Sequence, residues 1–243
     1  MTSADTLILA GALVAGFVQG LSGFALGLVA MVFWSGVLPP QQAAPLIALA
    51  SLAGQVVTLR TVLPRLDWRR ATPMVLGGVL GVPVGVMLLS VVDAGQFRLW
   101  VGILLCLYCP AMLFARRLPR IAWGGAWADG AAGAVGGVMG GIAGLNGPAP
   151  TLWCMLRGWP PDQQRAMYQP YLIVAHTAAL VGFALAGFLT RDVWRLAAWV
   201  VPCALAPSVL GTMVYARMPA ATFRQLVLAL LLLTGVVLVA QGS

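Results

Sequence analysis

The same local pattern occurs twice in this chain, 121 residues apart, and each copy interrupts an apolar stretch long enough to cross a membrane. Gly20-Leu21-Ser22-Gly23-Phe24 is followed by Pro39-Pro40-Gln41-Gln42. Gly141-Ile142-Ala143-Gly144-Leu145-Asn146-Gly147-Pro148 is followed by Pro160-Pro161-Asp162-Gln163-Gln164. Glycine-rich helices recur in membranes simply for close packing. Here glycines, paired prolines and glutamines recur in one order and one spacing, which marks a duplicated unit. Broken helices at corresponding places in two halves of a membrane protein are a pointer to a transport site.

Composition settles the solvent. Hydrophobic residues make up 61% of the 243 and charged residues 8%, and the mean hydropathy is +0.95. A domain with a water-facing surface cannot reach such values. Apolar runs near 69–92, 95–115, 166–189, 193–215 and 222–240 approach or exceed the ~20 residues a helix needs to span the hydrocarbon core. The expected fold is all-α: a polytopic integral membrane protein forming a single membrane domain, 1–243. It is read as repeat 1 (6–118) and repeat 2 (123–241), each a broken or re-entrant helix pair plus three transmembrane helices.

The net charge of +8 comes from 14 basic residues, all of them Arg. They lie in short connections, not in a stripe or tail, which excludes a nucleic-acid surface. Arg60, Arg65, Arg69 and Arg70 bracket one loop, and Arg116, Arg117 and Arg120 another; the positive-inside rule places both in the cytoplasm. The broken pairs are expected at about 7–18 with 22–37 and 123–140 with 146–158. If each pair enters and leaves on one side, the halves are inverted. Arg157, Arg165, Arg217 and Arg224 then join the cytoplasmic set, and only Arg98, Arg191 and Arg195 lie outside. If each pair crosses once, the halves are parallel and Arg98, Arg157, Arg165, Arg217 and Arg224 fall outside. Eleven to three against nine to five favours inversion. Met1 to Thr6 carries Asp5 and no basic residue, so the N-terminus is expected to be retained and outside. Further pairings extend the duplication: Phe97-Arg98 with Phe223-Arg224, and Gly81 with Gly211.

A glycine-rich broken first helix, a proline turn, an Ala-rich third segment, a Gly-x-x-x-Gly helix and a Phe-Arg start to the last, all given twice, resemble the sulfite exporter TauE/SafE family. The resemblance covers essentially the whole chain. Its most specific part is Gly141 to Pro148, continuing to Arg157-Gly158-Trp159-Pro160. It implies a bacterial inner-membrane transporter of small anions, sulfite or organosulfur carboxylates and sulfonates. The first motif departs from the family's denser glycine cluster at Phe24-Ala25-Leu26, which bears on the choice of anion.

The chemistry of the breaks suits an anion independently. The second helix of each pair is expected to start near the membrane centre, at about Ser22-Gly23 and at Asn146-Gly147-Pro148. A helix start exposes unpaired N–H groups and the positive end of the dipole. Glycine lets a ligand approach the backbone, Ser22 and Asn146 offer side-chain donors, and Pro148 suits the first helical position. The candidate substrate-binding residues are Gln19, Ser22, Gly23, Gln55, Gly144, Asn146, Gly147 and His176. Gln55 and His176 occupy equivalent places in the third segments. Ser22 and Asn146 also read as simple caps, and His176 as a hydrogen-bonded core residue. Tyr168, Gln169 and Tyr171 could line a cytoplasmic access path, although an interfacial belt is the expected role.

Absences narrow the mechanism. There is no Glu, and Asp5, Asp67, Asp93, Asp129, Asp162 and Asp192 fall at or near loops and segment ends, so no buried carboxylate is available for ion coupling. One His and four scattered Cys give no metal site, no cofactor is expected, and no catalytic constellation lies within the bilayer. The partners expected are a small inorganic or organosulfur anion and the lipid bilayer. The Cys106-x-x-Cys109 pair beside Pro110, with Cys203 beside Pro202, carries the alternative of a thiol-disulfide electron conductor. A non-catalytic membrane assembly subunit is the third reading.

Overall fold

A computed structural model of the protein describes residues 3–62, 67–114 and 120–215, with single positions from 225 to 240. The side chains of residues 57–62, 161–162 and 215 lie outside that description, as do Arg65, Arg116, Arg117, Arg217 and the pair Phe223-Arg224. The described residues form helices α1 (Ser3–Ser22), α2 (Leu26–Trp34), α3 (Pro40–Val62), α4 (Trp68–Val91), α5 (Ala94–Phe114), α6 (Gly125–Ala143), α7 (Pro148–Leu156), α8 (Pro161–Leu185) and α9 (Arg191–Tyr215). No described residue is in a strand.

Five of these helices carry segments long and apolar enough to cross a membrane: Ser3–Ser22, Trp68–Val91, Ala94–Phe114, Gln163–Leu185 and Arg191–Val214. Large apolar side chains such as Leu80, Met87, Leu107, Leu185 and Trp199 are exposed on the outside of the bundle, where lipid is the solvent. The chain is a multi-pass, all-helical membrane protein.

The two broken pairs are hairpins. Trp34 at the end of α2 donates its indole N–H to the Ile8 carbonyl near the start of α1, 3.1 Å away. Trp153 of α7 donates to Asp129 of α6 at 2.7 Å, and Arg157 reaches back to the Trp123 carbonyl at 3.2 Å. Each pair therefore returns to the end from which it started. Gly23 (φ +86°) makes the first turn and Gly144 (φ +70°) the second, a left-handed backbone that side-chain-bearing residues rarely adopt. Proline starts the next helix in both halves, at Pro40 and Pro161, where its missing N–H costs no hydrogen bond.

Small residues decide how the helices pair. On α4, methyl groups added at Gly77, Gly81 and Gly85 would run into the backbone of α6 at Gly130, Ala134 and Val138. On α1, Gly16 and Gly20 press in the same way on Ala204 and Ser208 of α9. Contacts rise together along both sequences, so α4 runs parallel to α6 and α1 parallel to α9. Between them α3 and α8 cross in opposite directions: Gln55 meets Gln169, while Ala44 and Ala48 cluster with Ala179 and Phe183. Thus α4 of the first half packs on α6 of the second, and α9 of the second on α1 of the first.

These directions decide where the charges gather. Arg70 and Arg157 both lie over the Trp159 ring, 5.0 and 5.4 Å from its centroid, and Gly158 packs on the Arg120 side chain. Inverted halves place Arg157 at the same end as Arg70 and parallel halves at the opposite end; the two lie together on Trp159. Arg98 lies at the other end, bonded to the Ser35 carbonyl.

Two expectations need correction. Gly85, not Gly81, is the counterpart of Gly211: Gly85 presses on Val138, Gly141 and Ile142, and Gly211 on Phe17, Gly20 and Leu21. The offset is 121 residues through the third helices and 126 in the fourth (Gly85 to Gly211), because the second half carries five more residues before α9. The first break also lies further along than expected. Ser22 ends α1 and does not start α2, since its hydroxyl donates to the Val18 carbonyl one turn back.

Candidate functional site

At the first break, Ser22 Oγ also accepts from the Ala25 N–H at 3.1 Å and, more weakly, from Phe24 N–H at 3.4 Å. Its hydrogen-bonding capacity is spent on the turn, so Ser22 acts as a cap. The Gly23 N–H returns to the Gln19 carbonyl, and Gln55 Nε2 donates to the Gly23 carbonyl at 2.8 Å. Gln169 Nε2 in turn donates to Gln55 Oε1. This chain of amides ties α8 to α3 and α3 to the turn. Gln19 is buried, with Nε2 donating to the Ser51 carbonyl at 2.9 Å and Oε1 unpaired.

The second break repeats the plan with different side chains. The Gly144 N–H returns to the Gly140 carbonyl, as Gly23 does to Gln19. His176, the counterpart of Gln55, holds the Leu172 carbonyl at Nδ1, 2.7 Å away, and its ring interacts with the Gly144 backbone. Gly140 stands where the first half has Gln19, and the volume above it is filled by the Asn146 carboxamide. Asn146 is fully buried, and neither its Oδ1 nor its Nδ2 has a hydrogen-bond partner. A buried amide left unpaired carries a desolvation cost of roughly 1–3 kcal/mol, which a ligand could relieve.

The breaks touch. Phe24 lies against Gly147, where an added methyl would come within 3.0 Å of its ring, and one on Gly27 would come 2.6 Å from Leu145. The starts of α2 and α7 therefore adjoin, each offering the positive end of its dipole. The two starts are unequal as donors. Pro148 and Pro150 supply no N–H, and the Thr151 N–H bonds to the Gly147 carbonyl. In the first turn of α7, Ala149 is the N–H left over.

Of the eight candidates, the structure brings Gly23, Gly144, Asn146 and Gly147 to the meeting of the breaks. Gln55 and His176 are buttresses behind them, Ser22 a cap, and Gln19 and Asn146 the polar side chains with spare capacity. The tyrosines depart from the interfacial role. Tyr168 and Tyr171 are buried; Tyr171 donates to the Gly133 carbonyl at 3.1 Å, and Tyr168 approaches the Ser22 carbonyl and stands edge-on to Phe24. Asp129 also departs from its expected place near a loop. It is buried on α6, held by Trp153 and 3.7 Å from Arg157, at the hairpin base and away from the breaks. An apolar groove between α4 and α8, lined by Val79, Met87, Ile173 and Val181, offers an anion no donors and is not the site.

The family model for sulfite exporter TauE/SafE matches residues 8–238. No curated protein and no solved structure matches the chain.

Proposed function

The chain belongs to the sulfite exporter TauE/SafE family, and we propose on that premise that it exports a small sulfur-containing anion, sulfite or a sulfonate, across the bacterial inner membrane. In this reading the chain is a transporter and not an enzyme. Its repeats, 6–118 and 123–241, are inverted, and the anion binds where their breaks meet.

The observation that carries the reading is the abutting pair of helix starts with an unpartnered, fully buried Asn146 beside them. Two positive helix ends can hold an anion without a formal cation, and residues 19–34 and 136–156 contain no charged side chain. Gly23, Gly144 and Gly147 let the anion approach the backbone, Asn146 donates to it, and Gln55 and His176 hold the turns in place. The direction proposed rests on the membrane potential. With the cytoplasm negative, a monoanion leaving gains ~2.3 kcal/mol per 100 mV, so export needs no coupling ion and no buried carboxylate.

Flux of labelled sulfite and sulfonates through proteoliposomes, with and without an imposed potential, tests the proposal. Accelerated exit at a potential that favours anion efflux is the expected result. Liposomes with folded protein that pass no anion faster than empty ones would overturn it.

A further inference from the structure

We infer that the site takes its anion singly charged, and that Asn146 distinguishes a protonated oxyanion from its dianion; this rests on the export reading above. The lining is short of positive charge. Besides the uncharged breaks, residues 41–59 of α3 and 166–185 of α8 contain one side chain that can become cationic, His176. Its ring is engaged with the Leu172 and Gly144 backbones. Of the tyrosines beside the breaks, Tyr171 is committed to Gly133, Tyr108 to Thr151, and Tyr168 approaches the Ser22 carbonyl.

Two physical consequences follow from that lining. The cost of removing an ion from water grows with the square of its charge, so a dianion loses about four times what a monoanion loses. Helix starts and amides without a cation therefore favour the monoanion, and prolines at 148 and 150 have removed two of the donors a dianion would call on. The second consequence concerns acceptors. A site built for a fully deprotonated oxyanion needs donors alone, yet Asn146 at the meeting of the breaks also brings an unpaired carbonyl oxygen, Oδ1. A bare oxyanion oxygen is repelled by such a carbonyl. A hydroxyl donates to it. The Asn146 carboxamide thus fits a monoprotonated oxyanion in both directions, Nδ2 donating to the charged oxygen and Oδ1 accepting from the hydroxyl. A sulfonate monoanion uses the donor and leaves the acceptor idle.

The charge of the carried species can be read directly. With equal pH on both sides of proteoliposomes, sulfite should distribute about tenfold for each ~59 mV of imposed potential, whereas a dianion would distribute about a hundredfold. Methanesulfonate should be carried and sulfate excluded. In Asn146→Leu, the flux ratio of sulfite to methanesulfonate should fall roughly tenfold, the worth of about one hydrogen bond. A hundredfold distribution, sulfate carried as fast as methanesulfonate, or an unchanged ratio in the variant would each overturn the inference. The distribution and sulfate measurements use the parent protein, so a variant that fails to fold does not remove the test. Silence toward every anion would instead strike the export reading, and this inference with it.

Discussion

Asn146 and Gly140 share one volume, and that makes the glycine as much a part of the site as the asparagine. A methyl group at position 140 would overlap Asn146 Oδ1, so Gly140→Ala should displace the carboxamide while leaving α6 helical. Asn146→Ala removes it outright. Both should weaken anion binding by ~1.5–3 kcal/mol, the range for a hydrogen bond to a charged group, read as the concentration giving half-maximal flux; parent-like values in both would remove Asn146 from the site. Gly23→Val is expected to abolish transport, because its φ of +86° is strained for any branched side chain. A second test concerns thiols. Cys109 and Cys154 are buried, and a variant with all four Cys changed to Ala should keep its flux; loss of flux in folded protein would bring forward the electron-conductor alternative. Asn146 could be singled out from sequence because it interrupts a glycine run. That Ser22 is a cap could not, since the same residue types serve caps and sites, and partner geometry separates them.

At the scale of helices, α4 with α6 and α1 with α9 are two copies of one parallel interface. Gly85 and Gly211 sit at matching points in it, and replacing either with Leu should cost about 1–3 kcal/mol through overpacking. The test is thermal unfolding in detergent, where the two single variants should lose similar stability. A large loss in one and none in the other would show the interfaces to be inequivalent. The hairpins and third helices were legible in the sequence because Gly, Pro and Gln mark their turns at a constant offset. The pairing of Gly81 with Gly211 is off by four residues because Gly81 and Gly85 lie one helical turn apart on the same face and read alike in the sequence. Trp68-Arg69 and Trp194-Arg195, 126 residues apart, carry the corrected spacing. The tyrosines of α8 were misread for a different reason: an amphipathic ring suits an interface, but Gly78 and Gly136 leave room for the Tyr171 ring and hydroxyl inside.

For the molecule as a whole, the distribution of Arg favours inverted over parallel halves, because each choice predicts a different partner for Arg157. The meeting of the breaks was legible only as a consequence of that choice. The proposed uncoupled export is tested at the same scale. His176→Gln places at the second turn the residue type that already holds the first, so flux should persist, accelerate with a potential favouring anion exit, and ignore a pH gradient when methanesulfonate is the anion. Flux that tracks the proton gradient and collapses in this variant would make the histidine the carrier of a coupling proton. The exchange of partners between halves has a further consequence, for biosynthesis. A ribosome releases α1 long before it makes residues 204–212, so the glycine face of the first helix must wait in the bilayer, unmatched, until almost the entire chain has been inserted. A chain truncated before α9 would leave that glycine face open, and the face can close only once synthesis has reached the ninth helix.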